Sequence, residues 1–248
     1  MASRIEERRA RQAAGHPACL VLDHVTIAYG PRVVLRDVDA DIPRGELVSI
    51  IGPNGSGKST LLKAIAGLIP LAGGEIRVFG EPVRRMRGRV AYVPQREAVD
   101  WSFPVSVHEV VAMGRYPERG WFRRAGRDDS AIVREALRQL GIDDLAERQI
   151  GELSGGQQRR AFIARAMAQR PDVILLDEPM TGIDEQTHDR ILQLFDEWRA
   201  AGKVVLQATH AHEHGGSMIV LRRRGEGASA QHPAHLGAEG GEHHVRAR

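Results

Sequence analysis

The chain has 248 residues, of which 42% are hydrophobic and 27% charged, and its formal net charge is +3. That length supports one or two domains around a large apolar core, and the composition excludes a mostly disordered chain. No apolar run approaches the roughly 18 residues of a membrane-spanning helix, and residues 1–11 lack the apolar stretch of a secretory signal. A single cysteine, Cys19, excludes an intramolecular disulfide framework and fits a reducing cytosol, while the small charge excess argues against a nucleic-acid partner.

Residues 1–17 are polar and rich in Arg and Glu, and are expected to form a flexible arm. Leu20-Val21-Leu22, Val25-Thr26-Ile27 and Val33-Val34-Leu35 have the composition of strands. Residues 47–51 form a short β-branched run that ends at glycine, which predicts a buried strand. Leu61, Leu62, Ile65 and Leu68 then recur at helical spacing. Residues 76–79 and 90–93 are further strands. The stretch 96–170 is different, with helical periodicity at Val107, Val110 and Val111, at Ile132, Val133, Ala136, Leu137 and Leu140 before Gly141, and at Phe162, Ile163, Ala166 and Met167. Strands return at 173–176, 204–208 and 218–221. Residues 222–248 have no apolar period and are expected to be a disordered, His-containing tail. Strands alternating with helices predict a mainly parallel sheet with helices on both faces.

Two motifs carry chemistry. Gly52-Pro53-Asn54-Gly55-Ser56-Gly57-Lys58-Ser59-Thr60 matches the phosphate-loop pattern, placed between a predicted strand and a predicted helix. Its glycines let backbone amides curl around phosphate oxygens, and the helix N-terminus adds positive potential. Lys58 would reach the β- and γ-phosphates and Ser59 would offer a hydroxyl to Mg²⁺. Lysine is scarce here: of 35 basic residues only Lys58, Lys63 and Lys203 are not arginine. The second motif is the apolar strand that ends in Asp177-Glu178. In a parallel sheet ligands lie at the C-terminal strand ends, so Asp177 is placed to hold Mg²⁺ and Glu178 to polarise an attacking water.

A third motif, Ser154-Gly155-Gly156-Gln157-Gln158, precedes a helix. Ser154 is a good N-cap and the two glycines bare the backbone, which makes a second anion site. These residues resemble the signature of the ATP-binding-cassette ATPases, and the resemblance covers residues 18–221. It implies a P-loop NTPase (RecA-like) core of class α/β with a mainly parallel sheet, an N-terminal antiparallel β part and an inserted helical subdomain. The core would span 18–95 and 171–221, and the helical subdomain 96–170. It also implies ATP and Mg²⁺ as ligands. Two cassettes, a homodimer or a paired relative, would face each other head to tail, so that Ser154, Gly155, Gly156 and Gln157 meet the other copy's nucleotide. Tyr29 stands where the family stacks an aromatic on adenine, although an aromatic there also serves as core filler. Gln95 matches the glutamine that contacts Mg²⁺ and the γ-phosphate. Asp184, in Gly182-Ile183-Asp184, matches the segment that crosses the interface, and His210 the histidine that contacts the γ-phosphate.

Residues 99–116, with Trp101, Phe103 and Pro104, are similar to the ATPases of bacterial manganese, zinc and iron importers. That branch implies a separate permease, a solute-binding protein, and a place on the cytoplasmic face of the membrane. The Trp101, Phe103 and Pro104 patch would dock the permease, or else pack into the subdomain's own core. Ala211 departs from the family's usual Asp, and the stretch 210–216 is short for the helix expected there. An alternative is therefore a regulatory cassette with weak hydrolysis; an importer ATPase for another substrate is also compatible. Seven of the 11 histidines lie from His210 onward, which fits either a solvated low-complexity tail or a weak transition-metal site.

Overall fold

A computed structural model describes residues 18–95, 104–119, 126–209 and 216–221. The predicted arm, Trp101 and Phe103, His210 and the tail from 222 lie outside the described residues.

Strands β1 (Leu20–Tyr29), β2 (Arg32–Ile42), β4 (Gly73–Val78) and β5 (Glu81–Pro82) form an antiparallel sheet in the order β2-β1-β4-β5. The two short strand runs expected near 20 and 25 are thus one strand. Leu20, Leu22, Val25 and Ile27 are its buried side chains, and the alternation shifts by one between Leu22 and Val25 because the register with β2 slips there. At the slip, His24 and Asp37 both adopt left-handed backbone angles, with φ of 50° and 54°. The His24 ring Nδ1 lies 2.6 Å from Asp37 Oδ1, and its backbone N–H donates to Asp39 Oδ1 at 2.8 Å.

The second sheet is wholly parallel, in the order β6-β7-β8-β3-β9. Its strands are β3 (Leu47–Ile51), β6 (Val90–Val93), β7 (Val173–Asp177), β8 (Val204–Thr209) and β9 (Ser217–Val220). Both faces are covered, which is why these strands are continuous apolar runs instead of alternating ones. Alternation survives in the destinations of the side chains. Val173 and Leu175 of β7 join a core shared with the antiparallel sheet and helix α1 (Lys58–Ile65). Ile174 and Leu176 point the other way, into a core shared with the remaining helices.

Those helices are α2 (Val107–Ala112), α4 (Arg127–Gln139), α5 (Gly155–Ala168) and α6 (Glu185–Ala200), and a single turn, α3 (Tyr116–Arg119), lies outside that core. Helices α2, α4 and α5 pack on one another. Ser106 opens α2 with a reciprocal cap to Glu109. Gly141 closes α4 as predicted: its amide bonds the Arg138 carbonyl, and the Ile142 amide reaches back to Leu137. Among the described residues no helix is long and apolar enough to cross a membrane.

The His24 cluster makes stability depend on pH. The hydrogen bond to Asp37, with the charges of Asp39, Asp37 and Asp23, holds the imidazole pKa above its usual value. A raised folded-state pKa stabilises the fold below the unfolded value of about 6.5, and that gain is lost as pH rises through the folded value. Asparagine tolerates the left-handed backbone, so His24→Asn removes the charge and keeps the turn. Thermal melts are expected to show a larger penalty for this variant near pH 5.5 than near pH 8.5. An equal penalty at both would show that the imidazolium contributes nothing.

Candidate active site

Strand β3, between β8 and β9, leads into the site. After Ile51 the chain turns through residues 52–57 and enters α1 at Lys58. The turn is confined on both sides. The Leu221 amide bonds the Ile51 carbonyl at 2.7 Å, and a Cβ at Gly52 would sit 2.4 Å from the Leu221 carbonyl oxygen. Gly57 has φ of 101°, and a Cβ there would fall within 3.0–3.2 Å of the Leu35 and Val34 side chains of β2. Gly52 has no room for a side chain and the backbone angle at Gly57 would strain one, so glycine leaves the backbone amides bare at both places.

Lys58 is 5% exposed. Its ammonium folds back and donates to the Gly52 carbonyl at 2.8 Å and the Pro53 carbonyl at 3.4 Å. Burial lowers its pKa, while the charges of Glu178 and Asp177 oppose that shift. The cation therefore rests on neutral acceptors, and a phosphate oxygen would replace them with a charge-assisted bond. Ser56 Oγ is buried with no hydrogen-bond partner among the described residues. An orphaned hydroxyl inside an anion cradle fits a missing phosphate.

Across the site, β7 delivers its carboxylates. Asp177 is 2% exposed, and both of its oxygens are engaged. Ser59 Oγ donates to Oδ1 at 3.0 Å, and the Tyr92 hydroxyl of β6 donates to Oδ2 at 3.1 Å. Burial, then the Asp177 charge, push the Tyr92 pKa up, so the phenol stays a donor. Glu178 follows with φ of 50°, an uncommon angle for a residue with a Cβ. Its amide bonds the Ala208 carbonyl at 3.1 Å. Gln95 Nε2 donates to Glu178 Oε2 at 2.9 Å, and Thr181 Oγ1 lies 3.4 Å from the same oxygen. A cleft of about 550 Å³ joins these groups, lined by Tyr29, Asn54, Gly55, Gly57, Lys58, Ser59, Thr60, Gln95 and Glu178 among others. Tyr29 is 51% exposed at its edge, so it is a wall of the cleft and not core filler.

The signature forms a separate place. Ser154 caps α5: the Gln157 amide donates to its Oγ at 3.3 Å, and Gln157 Oε1 accepts from the Ser154 amide at 2.9 Å. Asp184 caps α6 in the same manner, accepting from the Thr187 amide and hydroxyl at 2.8 Å each. These bonds hold the Asp184 carboxyl below the usual range. The two caps are neighbours, since a Cβ at Gly156 would lie 3.4 Å from Asp184 Oδ2. Neither Ser154 nor Asp184 lines the cleft.

The structure thus unites Lys58, Ser59, Asp177, Glu178, Gln95 and Tyr29, and sets Ser154, Gly156 and Asp184 together elsewhere. Sequence reasoning missed Tyr92 and Thr181, while Arg159 of α5 also reaches this site, through the backbone carbonyls of Pro94, Asp177 and Pro179. Tyr92 carried a usable signal, because a tyrosine in an otherwise aliphatic buried strand needs a polar partner for its hydroxyl. Thr181 had none.

Residues 35–181 match the sequence family described as ABC transporter. The chain belongs to that family. It is similar to the zinc transport system ATP-binding protein TroB of Treponema pallidum (strain Nichols), 52% identical over 76% of this chain and 71% of the relative. It is also similar to the manganese transport system ATP-binding protein MntB of Bacillus subtilis (strain 168), 47% identical over 76% of each. Among solved structures it resembles the dimeric structure of MJ0796, a bacterial ABC transporter cassette. That likeness has a TM-score of 0.73 and 30% identity over 82% of this chain and 94% of the other. The two-sheet architecture is therefore that of an ABC ATPase cassette with the P-loop NTPase fold, a domain that binds nucleotide.

Removing the Tyr92 hydroxyl tests the cohesion of this site. A hydrogen bond to a buried charge contributes about 1.5–3 kcal/mol, so Tyr92→Phe is expected to lower unfolding free energy by about 1.5 kcal/mol at neutral pH. Urea unfolding measures this, and an unchanged midpoint would mean that the bond contributes nothing.

Proposed function

We propose that this chain is the ATP-hydrolysing subunit of an importer that carries a transition metal ion through a separate membrane permease. The observation that carries the reading is the meeting of the phosphate loop and the acidic strand end in one cleft, with Ser59 Oγ 3.0 Å from Asp177 Oδ1. Manganese or zinc as cargo is supported by the names of the relatives at 52% and 47% identity. The core is assigned to 18–95 and 171–221 and the helical subdomain to 96–170.

The amides of residues 52–60 and the Lys58 ammonium would bind the phosphates, and Tyr29 would stack on the base. The hard oxygens of Ser59, Asp177 and Gln95 suit Mg²⁺, which would neutralise charge on the transferred phosphoryl group. Glu178 is the general base. Its carboxylate is already oriented by Gln95 and Thr181, so a water entering beside it would be aligned and polarised. His210 takes the γ-phosphate contact in this reading.

Ser154, Gly155, Gly156 and Gln157 lie off the cleft, which is why a second cassette is needed to use them. A head-to-tail pair would bring this anion site, with Asp184 beside it, onto the partner's nucleotide. The dimeric MJ0796 cassette supports pairing. The permease and a solute-binding protein complete the system, and the chain sits on the cytoplasmic face against the permease.

The decisive experiment measures Mg-ATP hydrolysis by the chain with its permease. Losing a general base costs roughly 10²–10⁴-fold, so Glu178→Gln is expected to bind ATP and turn over at least about a hundredfold more slowly. Lys58→Ala is expected to lose ATP binding, and with it manganese or zinc uptake in cells. Wild-type turnover by Glu178→Gln would sink the assignment.

A further inference from the structure

Arg159 is a charged residue one turn inside the signature helix α5, and it is 7% exposed. Its guanidinium donates to three backbone carbonyls: Asp177 at 2.6 Å from Nη2, Pro94 at 2.7 Å from Nη1, and Pro179 at 3.3 Å from Nε. The sequence positions of these acceptors are informative. Asp177 and Pro179 flank Glu178 on both sides, and Pro94 immediately precedes Gln95. One side chain thus grips the backbone around both members of the Gln95–Glu178 hydrogen bond.

Glu178 needs such a grip. Its φ of 50° is strained for a residue with a Cβ, and such angles persist only where the surroundings over-determine them. A buried arginine that merely satisfies carbonyls has no reason to select these three. The planar fork supplies donors in three directions at once, which an ammonium on a flexible stem does not reproduce.

We propose that Arg159 is a positioning residue for ATP hydrolysis, holding Glu178 and Gln95 in register from the signature helix. The inference rests on Glu178 being the catalytic base. None of the three carbonyls belongs to the phosphate loop, so the Lys58 ammonium and the loop carbonyls that hold it are not touched by Arg159. Movement of α5 would carry the general base with it, and the signature helix of each cassette would bear on that cassette's own chemistry.

The test compares Arg159→Met, Arg159→Lys and Glu178→Gln with the wild type, in complex with the permease. Turnover, KM and equilibrium Kd for ATP, and melting temperature are measured on each. Misplacing a reacting group by about 1 Å can cost 10²-fold, so Arg159→Met is expected to lower kcat by about tenfold to a hundredfold. Kd for ATP should stay within about twofold of the wild type, with Arg159→Lys recovering part of kcat. Should the Met variant fail to fold, the Lys variant carries the test, and its kcat must fall at unchanged Kd. A kcat within twofold of wild type in the folded variant overturns the proposal, as does a fall in kcat matched by an equal fall in folded, ATP-binding protein. Wild-type turnover by Glu178→Gln instead removes the base that Arg159 is said to position. An inactive Glu178→Gln beside a fully active Arg159→Met refutes the positioning role alone.

Discussion

The Asp177 carboxylate ties the phosphate loop, the acidic strand end and β6 together. It ends the fully buried strand β7, receives the Ser59 hydroxyl from the loop after β3, and receives the Tyr92 hydroxyl from β6. Isolated at 2% exposure, this charge would be costly; with two donors it is tolerable. Phosphate loop, acidic strand end and neighbouring strand are thereby held in one geometry before any ligand arrives. The Lys58 ammonium is kept in the same condition by the loop's own carbonyls. The site is built to exchange partners and not to create them, which lowers the cost of reorganising when phosphate binds.

Much of this was legible in the residues because it depends on local rules. A β-branched run before Gly52 and a lysine-bearing helix after Gly57 put the loop at a strand end, and the parallel sheet then puts Asp177 at the same edge. The cap at Ser154 was readable for the same reason, since a cap is set within three residues. Contacts between distant segments were not. Nothing near Arg159 says that its guanidinium reaches carbonyls 18, 20 and 65 positions away. The slip in β1 was equally hidden, because the pairing that produces the left-handed angles at His24 and Asp37 involves two strands and neither alone.

The arrangement also sets two candidate anion sites apart. The loop before α1 has a lysine, a buried hydroxyl and carboxylates at hand, all that a bound phosphate and its counter-ion require. The N-terminus of α5 has only bare backbone, a serine and the Asp184 carboxylate beside Gly156. Alone it is a poor site. In the head-to-tail pair proposed above, another chain would bring the phosphate and the metal charge, and assembly and nucleotide occupancy would be bound to the same event.

The packing of Gly57 against Leu35 and Val34 has a further consequence. The antiparallel sheet brings Tyr29, Arg32 and Val34 to the wall of the cleft, and its side chains are also the mould in which the phosphate loop takes its shape. Leu35 is itself 4% exposed and belongs to the core shared with α1 and the parallel sheet. Hairpin and loop therefore open as one cooperative unit, and amide protons in β2 should exchange with solvent on the same timescale as those of the loop. Nucleotide, by holding the loop shut, would slow exchange in a hairpin most of whose residues it never touches.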